Sequence, residues 1–314
     1  MMKKLISKRW ISIMMITILV AAIATGCTSE NEPKNLDDAG NSNGSVTNDE
    51  TFNLENEIVV VTREEGSGTR GAFVELCGIE VKNEDGTKID RTTKEAITQM
   101  KTDTVLTTVA GNECAIGYVS TGSLNDTVKA IKIEGAEPTT DNIKNGSYKI
   151  ARPFNIATKG EMNELTKDFI DFIMSREGQE VVSKSYIAVD DSANSYSGTK
   201  PSGKIVVAGS SSVTPLMEKL REAYLEINPN AEIEVQQSDS SSGMKAAIDG
   251  TADIGMASRE LKDSEKAELD DIAIALDGIA VITNNANSIS ELTVDDVQQI
   301  FIGEKTKWSE IEEK

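Results

Sequence analysis

Histidine is absent from this 314-residue sequence. Ser-His-Asp and Cys-His catalytic arrangements and most zinc sites need an imidazole, so the absence excludes them. A serine–lysine nucleophile remains formally possible, with Ser67 or Ser212 as the attacking hydroxyl, but no lysine stands at a recognised spacing from either serine. We therefore predict a protein that is not an enzyme and that uses neither a metal nor a cofactor.

Positive charge is also scarce, since 32 lysines and arginines stand against 52 aspartates and glutamates, a formal net charge of −20. Residues 1–26 carry four of the cations and no acid, so a chain without them would carry −24. Nucleic-acid binding needs a basic footprint and is excluded on this ground. A buried anion is a different case, because it responds to local dipoles and single arginines more than to distant, screened carboxylates.

Cysteine occurs three times, and the first one, Cys27, follows an export signal. A basic start, an apolar run of about 15 residues and a few small residues lead into it. This pattern predicts a signal peptide over residues 1–26, cleaved before Cys27, and a bacterial lipobox whose cysteine receives the lipid (palmitate). An uncleaved membrane anchor is the alternative, but a span needs roughly 20 apolar residues. Cys77 and Cys114 could pair in an exported protein or remain two buried thiols.

Two polar segments interrupt the globular pattern. Residues 27–56 consist of the lipidated cysteine and a polar stretch, which predicts a flexible tether that lifts the folded part off the membrane. Residues 190–203 are an internal linker of similar composition. With the signal peptide, the tether predicts a lipid-anchored protein on the extracytoplasmic face of the cell membrane.

Buried strands alternate with amphipathic helices between these segments. Ile58–Val61 and Ile205–Ala208 are continuous apolar runs, as expected of strands buried on both faces. The first run leads into a helix with Ala72, Phe73, Leu76 and Cys77 on one side, and the second into a helix that starts near Pro215. A further helix is predicted from Met244. The alternation predicts an α/β fold with mostly parallel sheets.

Three short turns of serine, threonine and glycine each precede a predicted helix: Gly66–Thr69, Gly209–Ser212 and Ser240–Gly243. A helix start leaves backbone N–H groups unpaired and carries a partial positive charge, so it favours an anion. Hydroxyls add donors, and glycine lets the backbone approach the ligand. All three turns follow strands, so they fall at the carboxyl ends of the strands, where ligands bind in such sheets. We predict a small oxyanion site there.

Several motifs resemble those of the phosphate-binding protein of bacterial phosphate ABC transporters, and together they cover nearly all of residues 57–314. The motifs are Val61–Arg70, Ile116–Ser120, Phe169–Ile173, Glu177–Gln179, Gly209–Leu216, Gly250–Arg259, Ala275–Ile282 and Ile300–Ser309. The resemblance implies a two-lobed fold of the type II periplasmic-binding-protein kind, with the ligand in a cleft between the lobes.

The order of these motifs differs from that of the family, which opens with the Gly209–Leu216 motif. This chain begins in the family's middle, runs to its end, crosses the internal linker and then supplies the family's beginning, which indicates a circular permutation. Residues 55–150 and 282–314 would form one lobe, and residues 151–281 the other. The chain's two ends should then lie close together. A truncated tandem array or a swapped dimer is the alternative to a closed monomer.

The resemblance also implies which residues bind the ligand. Arg63 would be the main cation and would fork onto two oxygens of the anion. Within the third turn Ser241 is the first choice, and Ser240 and Ser242 are its alternatives. The other implied ligands are Ser67, Gly68, Thr69, Ser212, Val213 through its backbone N–H, Ser258 and Arg259.

Some relatives have an aspartate, able to accept the proton of phosphate, where this chain has Arg259. Arg259 would then be a second cation or a structural partner. The remaining candidates for the acceptor are Glu65 and Asp277. Glu65 could instead orient Arg63, and Asp277 could instead pin a crossover strand.

The function that the resemblance implies is capture of inorganic phosphate by a lipoprotein and its delivery to the transmembrane subunits of an ABC permease. We expect a monomer. Binding of another oxyanion, such as sulfate or molybdate, and phosphate sensing are the alternatives within the same fold.

Overall fold

Strands and helices alternate along residues 52–83 and 87–311, which this computed structural model describes. The predicted signal peptide, Cys27 and most of the predicted tether lie outside the described residues. The strands are Val59–Arg63 (β1), Glu80–Lys82 (β2), Lys88–Asp90 (β3), Ile97–Gln99 (β4), Ala115–Ser120 (β5), Val128–Ala130 (β6), Lys132–Ile133 (β7), Ala151–Thr158 (β8), Ile187–Ala188 (β9), Gly203–Ser210 (β10), Ala231–Ser238 (β11), Ile254–Ala257 (β12), Asp270–Asn284 (β13) and Glu291–Leu292 (β14). The helices are Gly68–Leu76 (α1), Thr102–Ala110 (α2), Thr140–Lys144 (α3), Glu164–Ile173 (α4), Arg176–Val182 (α5), Thr214–Ile227 (α6), Ser240–Ile248 (α7), Asp263–Lys266 (α8) and Val294–Ile302 (α9), with 3₁₀ turns at Thr121–Ser123 and Trp308–Glu310.

The sequence pattern predicts most of these elements. The apolar runs at Ile58–Val61 and Ile205–Ala208 are confirmed as strand segments: β1 starts one residue into the first run, at Val59, and the second run is the middle of β10. Helix α6 carries Pro215 in its first turn, as predicted, because proline already has the backbone angle of a helix and needs no N–H partner there.

Two details of the predicted helices are wrong. Helix α7 begins at Ser240 rather than at Met244, because the Asp239 side chain caps it by accepting from the Ser242 N–H, which makes the serine turn the first turn of the helix. Ala72, Phe73 and Cys77 are buried as predicted, but Leu76 on the same predicted side is 41% exposed.

Ten of the described strands form one mixed sheet in the order β11-β10-β12-β8-β13-β5-β1-β4, with β6 and β9 paired to β13. Strand β10 runs parallel to β11 and β12, and β1 runs parallel to β4 and β5. In the middle, β8 and β13 are antiparallel to each other. Strand β13 pairs with β8 and β9 up to Gly278 and with β5 and β6 from Ile279 onward. These two strands therefore connect the two parallel groups.

Two large hydrophobic clusters pack around this sheet. We call residues 55–150 and 282–311 lobe II and residues 151–281 lobe I, following the predicted division. The lobe II cluster contains Tyr118, Phe301 and Trp308, which are at most 1% exposed and pack its core. The cluster in lobe I is built around phenylalanines and tyrosines of the helices α4 and α6 and the strand β8.

The two ends of the described chain lie against each other. The Ser309 N–H donates to the Leu54 carbonyl at 2.7 Å, and Glu57 and Lys307 form an isolated antiparallel bridge. The Phe52 ring meets the Trp308 ring edge-on, with centroids 6.0 Å apart. The fold therefore extends back to residue 52, into the stretch that the sequence assigns to the tether.

The predicted linker, residues 190–203, contains no helix or strand before β10 begins at Gly203. It is held at Asp168 of α4, whose carboxylate accepts from the hydroxyls of Tyr196 and Tyr224 and from the Thr199 N–H. Burial raises the pKa of Asp168, but these hydrogen bonds to the carboxylate outweigh it and leave the pKa below its ordinary value. The linker is thus tied to the core of lobe I by a charged anchor.

Cys77 and Cys114 are both free thiols, so the disulfide that the sequence leaves open is not formed. Burial raises the pKa of the Cys77 thiol, which keeps it protonated. In residues 52–83 and 87–311 no helix is long and apolar enough to cross a membrane, and no group of three or more cysteines and carboxylates is placed to hold a metal ion.

Candidate functional site

Seven buried hydroxyls meet where the carboxyl ends of the two parallel groups of strands face each other. Each belongs to a residue that is at most 3% exposed, so water is largely excluded from them. We call them the hydroxyl cluster: Thr69, Thr102, Ser210, Ser211, Ser212, Ser240 and Ser258.

The two parallel groups of strands bring the cluster together. Strands β1 and β4 end on one side of it and β10, β11 and β12 on the other, because the antiparallel strands β8 and β13 between them make the two groups run in opposite directions. Helices α1, α2, α6 and α7 start here, so their unpaired N–H groups and positive dipole ends converge on the same place. The prediction that all three turns lie at the carboxyl ends of strands is confirmed.

The two lobes touch through these hydroxyls. Thr69 of lobe II bonds to Ser212 of lobe I at 2.8 Å between hydroxyl oxygens, and to Ser258 at 3.3 Å. Thr102 approaches the hydroxyls of both Ser211 and Ser212 at 3.4 Å. The donors that would surround an anion are therefore already assembled from both sides.

Gly68 lies where the two lobes are closely packed against each other. A Cβ atom at this position would lie 2.3 Å from Ser240 Oγ and 2.8 Å from Ser258 Oγ. Any side chain would push the lobes apart, so only glycine allows the α1 start to reach the hydroxyl cluster.

Arg63 supplies positive charge to the cluster. Its Nε and Nη2 donate to the two carboxylate oxygens of Glu64 at 2.7 Å each. The other edge of the guanidinium faces the hydroxyls, with Nη2 3.0 Å from Ser211 Oγ and Nη1 3.4 Å from Thr102 Oγ1. Glu64 therefore orients the arginine and leaves its second edge for an anion.

Tyr118 fixes the backbone of Arg63. Its hydroxyl accepts from the Arg63 N–H at 3.1 Å and bonds to Thr62 Oγ1 at 2.8 Å. The ring stacks on Phe73 with centroids 4.0 Å apart. Burial raises the pKa of Tyr118 to about 12, so the hydroxyl stays neutral. The cation is thus held by the aromatic core of lobe II.

Several of the predicted ligands lie at the site. Arg63, Thr69, Ser212 and Ser258 meet there, and Gly68 borders it. Two other predicted ligands, Ser67 and Val213, use the groups expected to bind the anion for hydrogen bonds within their own turns. Ser67 is buried and caps α1, accepting from the Arg70 N–H, and the Val213 N–H donates to the Ser210 carbonyl at 3.0 Å.

Other predicted residues lie outside the hydroxyl cluster. Ser241 is half-buried and its hydroxyl accepts from Arg259, whose guanidinium is held by both oxygens of Glu265 at 2.7 and 2.8 Å. Glu65 is exposed, and its neighbour Glu64 pairs with Arg63 instead.

Asp277 is fully buried but bonds to residues other than those of the cluster. Its Oδ1 accepts from the hydroxyls of Ser120 and Thr121, and its Oδ2 faces Arg152. Burial raises the pKa of this carboxyl, which Arg152 and the two hydroxyls oppose.

Sequence reasoning missed several residues of the site. Ser210 and Ser211 belong to a turn that the sequence identifies. In the third turn the alternative Ser240, and not the first choice Ser241, is the buried member, since Asp239 caps the helix and points Ser242 outward. Thr102 is the first residue of α2 and follows strand β4 closely. A hydroxyl residue at a helix start after a strand is the pattern that could have identified it. Arg152 lies on β8 without a neighbouring motif, and only the sheet brings it here.

Comparison with known proteins gives a consistent result. The family described as "PBP superfamily domain" matches residues 15–177 and 194–313. The phosphate-binding protein PstS 2 of Streptococcus agalactiae serotype V is 52% identical over 267 residues, which are 84% of this chain and 91% of that protein.

A solved structure is also similar. The crystal structure of a phosphate-binding protein of a phosphate ABC transporter from Streptococcus pneumoniae TIGR4 superimposes with a TM-score of 0.66 at 45% identity, and the match covers 82% of this chain and all of that one. The phosphate-binding protein PstS of Bacillus subtilis strain 168 is 34% identical over 138 residues, which are 43% of either chain.

Proposed function

Because the chain belongs to the PBP superfamily, among the phosphate-binding proteins of ABC transporters, we propose that it captures inorganic phosphate outside the cytoplasm and delivers it to the membrane subunits of an ABC permease. The observation that carries the proposal is the oriented Arg63 guanidinium facing a buried cluster of seven hydroxyls drawn from both lobes. Opening and closing of the lobes around the ligand would be a hinge motion at β8 and β13.

The donors match the demand of an enclosed oxyanion. Each hydroxyl can donate one hydrogen bond, and the first N–H groups of the converging helices add more. In the described part of the chain, Glu64 is the carboxylate next to Arg63, and both of its oxygens already accept from that arginine. A bound anion would therefore face donors and a positive guanidinium edge.

The chain is a binding protein and not an enzyme, as its relatives are substrate-binding transport proteins. The site agrees with this. In residues 52–83 and 87–311 no lysine donates to a hydroxyl of the cluster, so the serine–lysine alternative has no base to activate Ser212.

Calorimetric titration tests the proposal. A chain without residues 1–26 should bind one phosphate with a dissociation constant at or below roughly 1 μM, about −8 kcal/mol. Competition with sulfate and molybdate at pH 6 and pH 8 tests the choice of ligand. Phosphate should remain bound against equal concentrations of either anion at both pH values. Displacement by either one would overturn phosphate in favour of that oxyanion.

Membrane attachment through a lipid on Cys27 is also part of the proposal. It is supported by the small-residue motif before Cys27 and by the polar stretch that follows. The tether would hold the folded part within reach of the permease. The chain would act as a monomer, since both lobes and all seven hydroxyls come from a single chain.

We further propose that the chain is circularly permuted relative to much of its family. The contact between Leu54 and Ser309 supports this, because permutation requires adjacent ends. One continuous alignment covers 84% of this chain for the S. agalactiae relative but 43% for the B. subtilis one. Half-length coverage is expected when two sequences share both pieces in opposite order, since a continuous alignment can then follow one piece only.

Restoring the family order tests the permutation. A variant that joins residue 311 to residue 52 through a flexible linker of about six residues, and starts at residue 194, should fold as a monomer and bind phosphate within about threefold of the parent. Small-angle scattering and calorimetry measure the two properties. An insoluble variant, or a folded monomer without binding, would contradict the proposal; dimers of the parent chain would favour swapping between chains.

A further inference from the structure

Arg152 and Asp277 form a buried pair on the two strands that connect the lobes. They are direct register partners of the antiparallel strands β8 and β13. Their side chains are 2% and 0% exposed, and Arg152 Nη2 lies 3.2 Å from Asp277 Oδ2. The motif Ala275–Ile282 contains the aspartate, but no predicted ligand set includes the arginine.

The pair does not satisfy its own polar groups. Arg152 Nε and Nη1 and Asp277 Oδ2 are buried without a hydrogen-bond partner in the described residues. The other two arginines near the cluster differ, since Glu64 holds two nitrogens of Arg63 and Glu265 holds two of Arg259. Buried guanidinium N–H groups without partners are costly, so a missing acceptor is the simplest explanation.

The guanidinium reaches the hydroxyl cluster. Arg152 Nη2 donates to Thr69 Oγ1 at 2.9 Å, the hydroxyl that also bonds to Ser212 and Ser258. Burial lowers the pKa of Arg152, and repulsion from the nearby Arg63 lowers it further while Asp277 opposes both. Two guanidinium groups thus lie close together in a space from which water is excluded. A bound anion there would offset the positive charge of both.

We propose that Arg152 binds the captured phosphate directly, as a second guanidinium beside Arg63, through the N–H groups that lack partners. This inference rests on the proposed function. Because Arg152 lies on β8, it would also link the ligand to the strands about which the lobes move. Asp277 would offset part of the guanidinium charge from behind and leave Nε and Nη1 free for the anion.

The competing explanation is that the Arg152–Asp277 pair is purely structural. Substituting each partner separately distinguishes the two explanations. If Arg152 binds phosphate, Arg152→Gln should weaken the affinity by about 10- to 100-fold. Asp277→Asn should keep or strengthen the affinity, because it removes a negative charge behind the guanidinium. If the pair only stabilises the crossover strands, both variants should weaken phosphate binding in parallel.

The experiment is a phosphate titration of the parent chain, Arg152→Gln, Arg152→Lys and Asp277→Asn, each checked for folding by thermal unfolding. Tyr148→Phe is the matched control, since its buried hydroxyl bonds to the Ile279 carbonyl on β13 at 2.8 Å and is remote from the cluster in the hydrogen-bond network. The lysine variant should recover part of the lost affinity. A parent chain that does not bind phosphate would reject the proposed function itself.

Two results would overturn the role of Arg152 while leaving phosphate capture intact. One is an Arg152→Gln variant that is folded and binds as tightly as the parent. The other is a parallel loss of affinity in Arg152→Gln and Asp277→Asn, whether or not Tyr148→Phe loses affinity as well. A loss confined to Arg152→Gln, with partial recovery by lysine, supports it.

Discussion

Replacing Arg63 by alanine is expected to weaken phosphate binding by about 10²- to 10⁴-fold. The guanidinium edge that faces Thr102 and Ser211 can form two charge-assisted hydrogen bonds to the anion, each worth roughly 1.5–3 kcal/mol. Isothermal titration calorimetry at constant ionic strength measures the change. The affinity of Arg63→Lys should lie between those of the parent and of Arg63→Ala, because lysine keeps the charge but loses the planar fork.

The alanine variant also leaves Glu64 as a buried, unpaired carboxylate beside the site. Glu64 is 7% exposed and both of its oxygens accept from Arg63, so it would then repel the anion. The double variant Arg63→Ala, Glu64→Ala separates the two effects. If loss of the cation dominates, the double variant should remain weak. Recovery of full affinity in the double variant, or parent affinity in Arg63→Ala, would reject Arg63 as a ligand.

Much of the site could be predicted because its signals are local. A continuous apolar run predicts a buried strand, and a Gly-Ser-Thr turn after it predicts a helix start that favours an anion. Each parallel group then carries its turns at the carboxyl ends of its strands. The two groups face each other, with Thr69 and Ser212 2.8 Å apart, because of the long-range pairing of β8 with β13, which no local pattern encodes.

The missed residues depend on contacts that no local pattern encodes. Arg152 meets the site because the register of β8 against β13 places it opposite Asp277. Ser240 rather than Ser241 turns inward because Asp239 caps α7, which shifts the helix start by a few residues and rotates the serines with it. The boundary at residue 52 likewise depends on Trp308, more than 250 residues along the chain.

That contact makes Trp308 the residue whose loss should cost the most stability. Trp308→Ala is expected to reduce the free energy of unfolding by about 3–5 kcal/mol and the melting temperature by on the order of 10 °C, because Trp308 is fully buried and its removal leaves a large cavity. Thermal unfolding followed by circular dichroism measures the loss. Phosphate should raise the melting temperature of the variant, as it binds the folded state only.

Trp308→Phe is the matched control for this prediction. The indole Nε1 is buried without a partner in the described residues, so phenylalanine removes an unsatisfied donor while it keeps an aromatic ring against Phe52. We expect it to lose less than half as much stability as alanine. Without residues 1–26, Trp308 is the only tryptophan, so its fluorescence should be that of a buried indole and should shift on unfolding. An exposed spectrum in the folded parent, or equal melting of Trp308→Ala and the parent, would show that the chain's two ends do not meet in solution, and the permuted arrangement would lose its structural support.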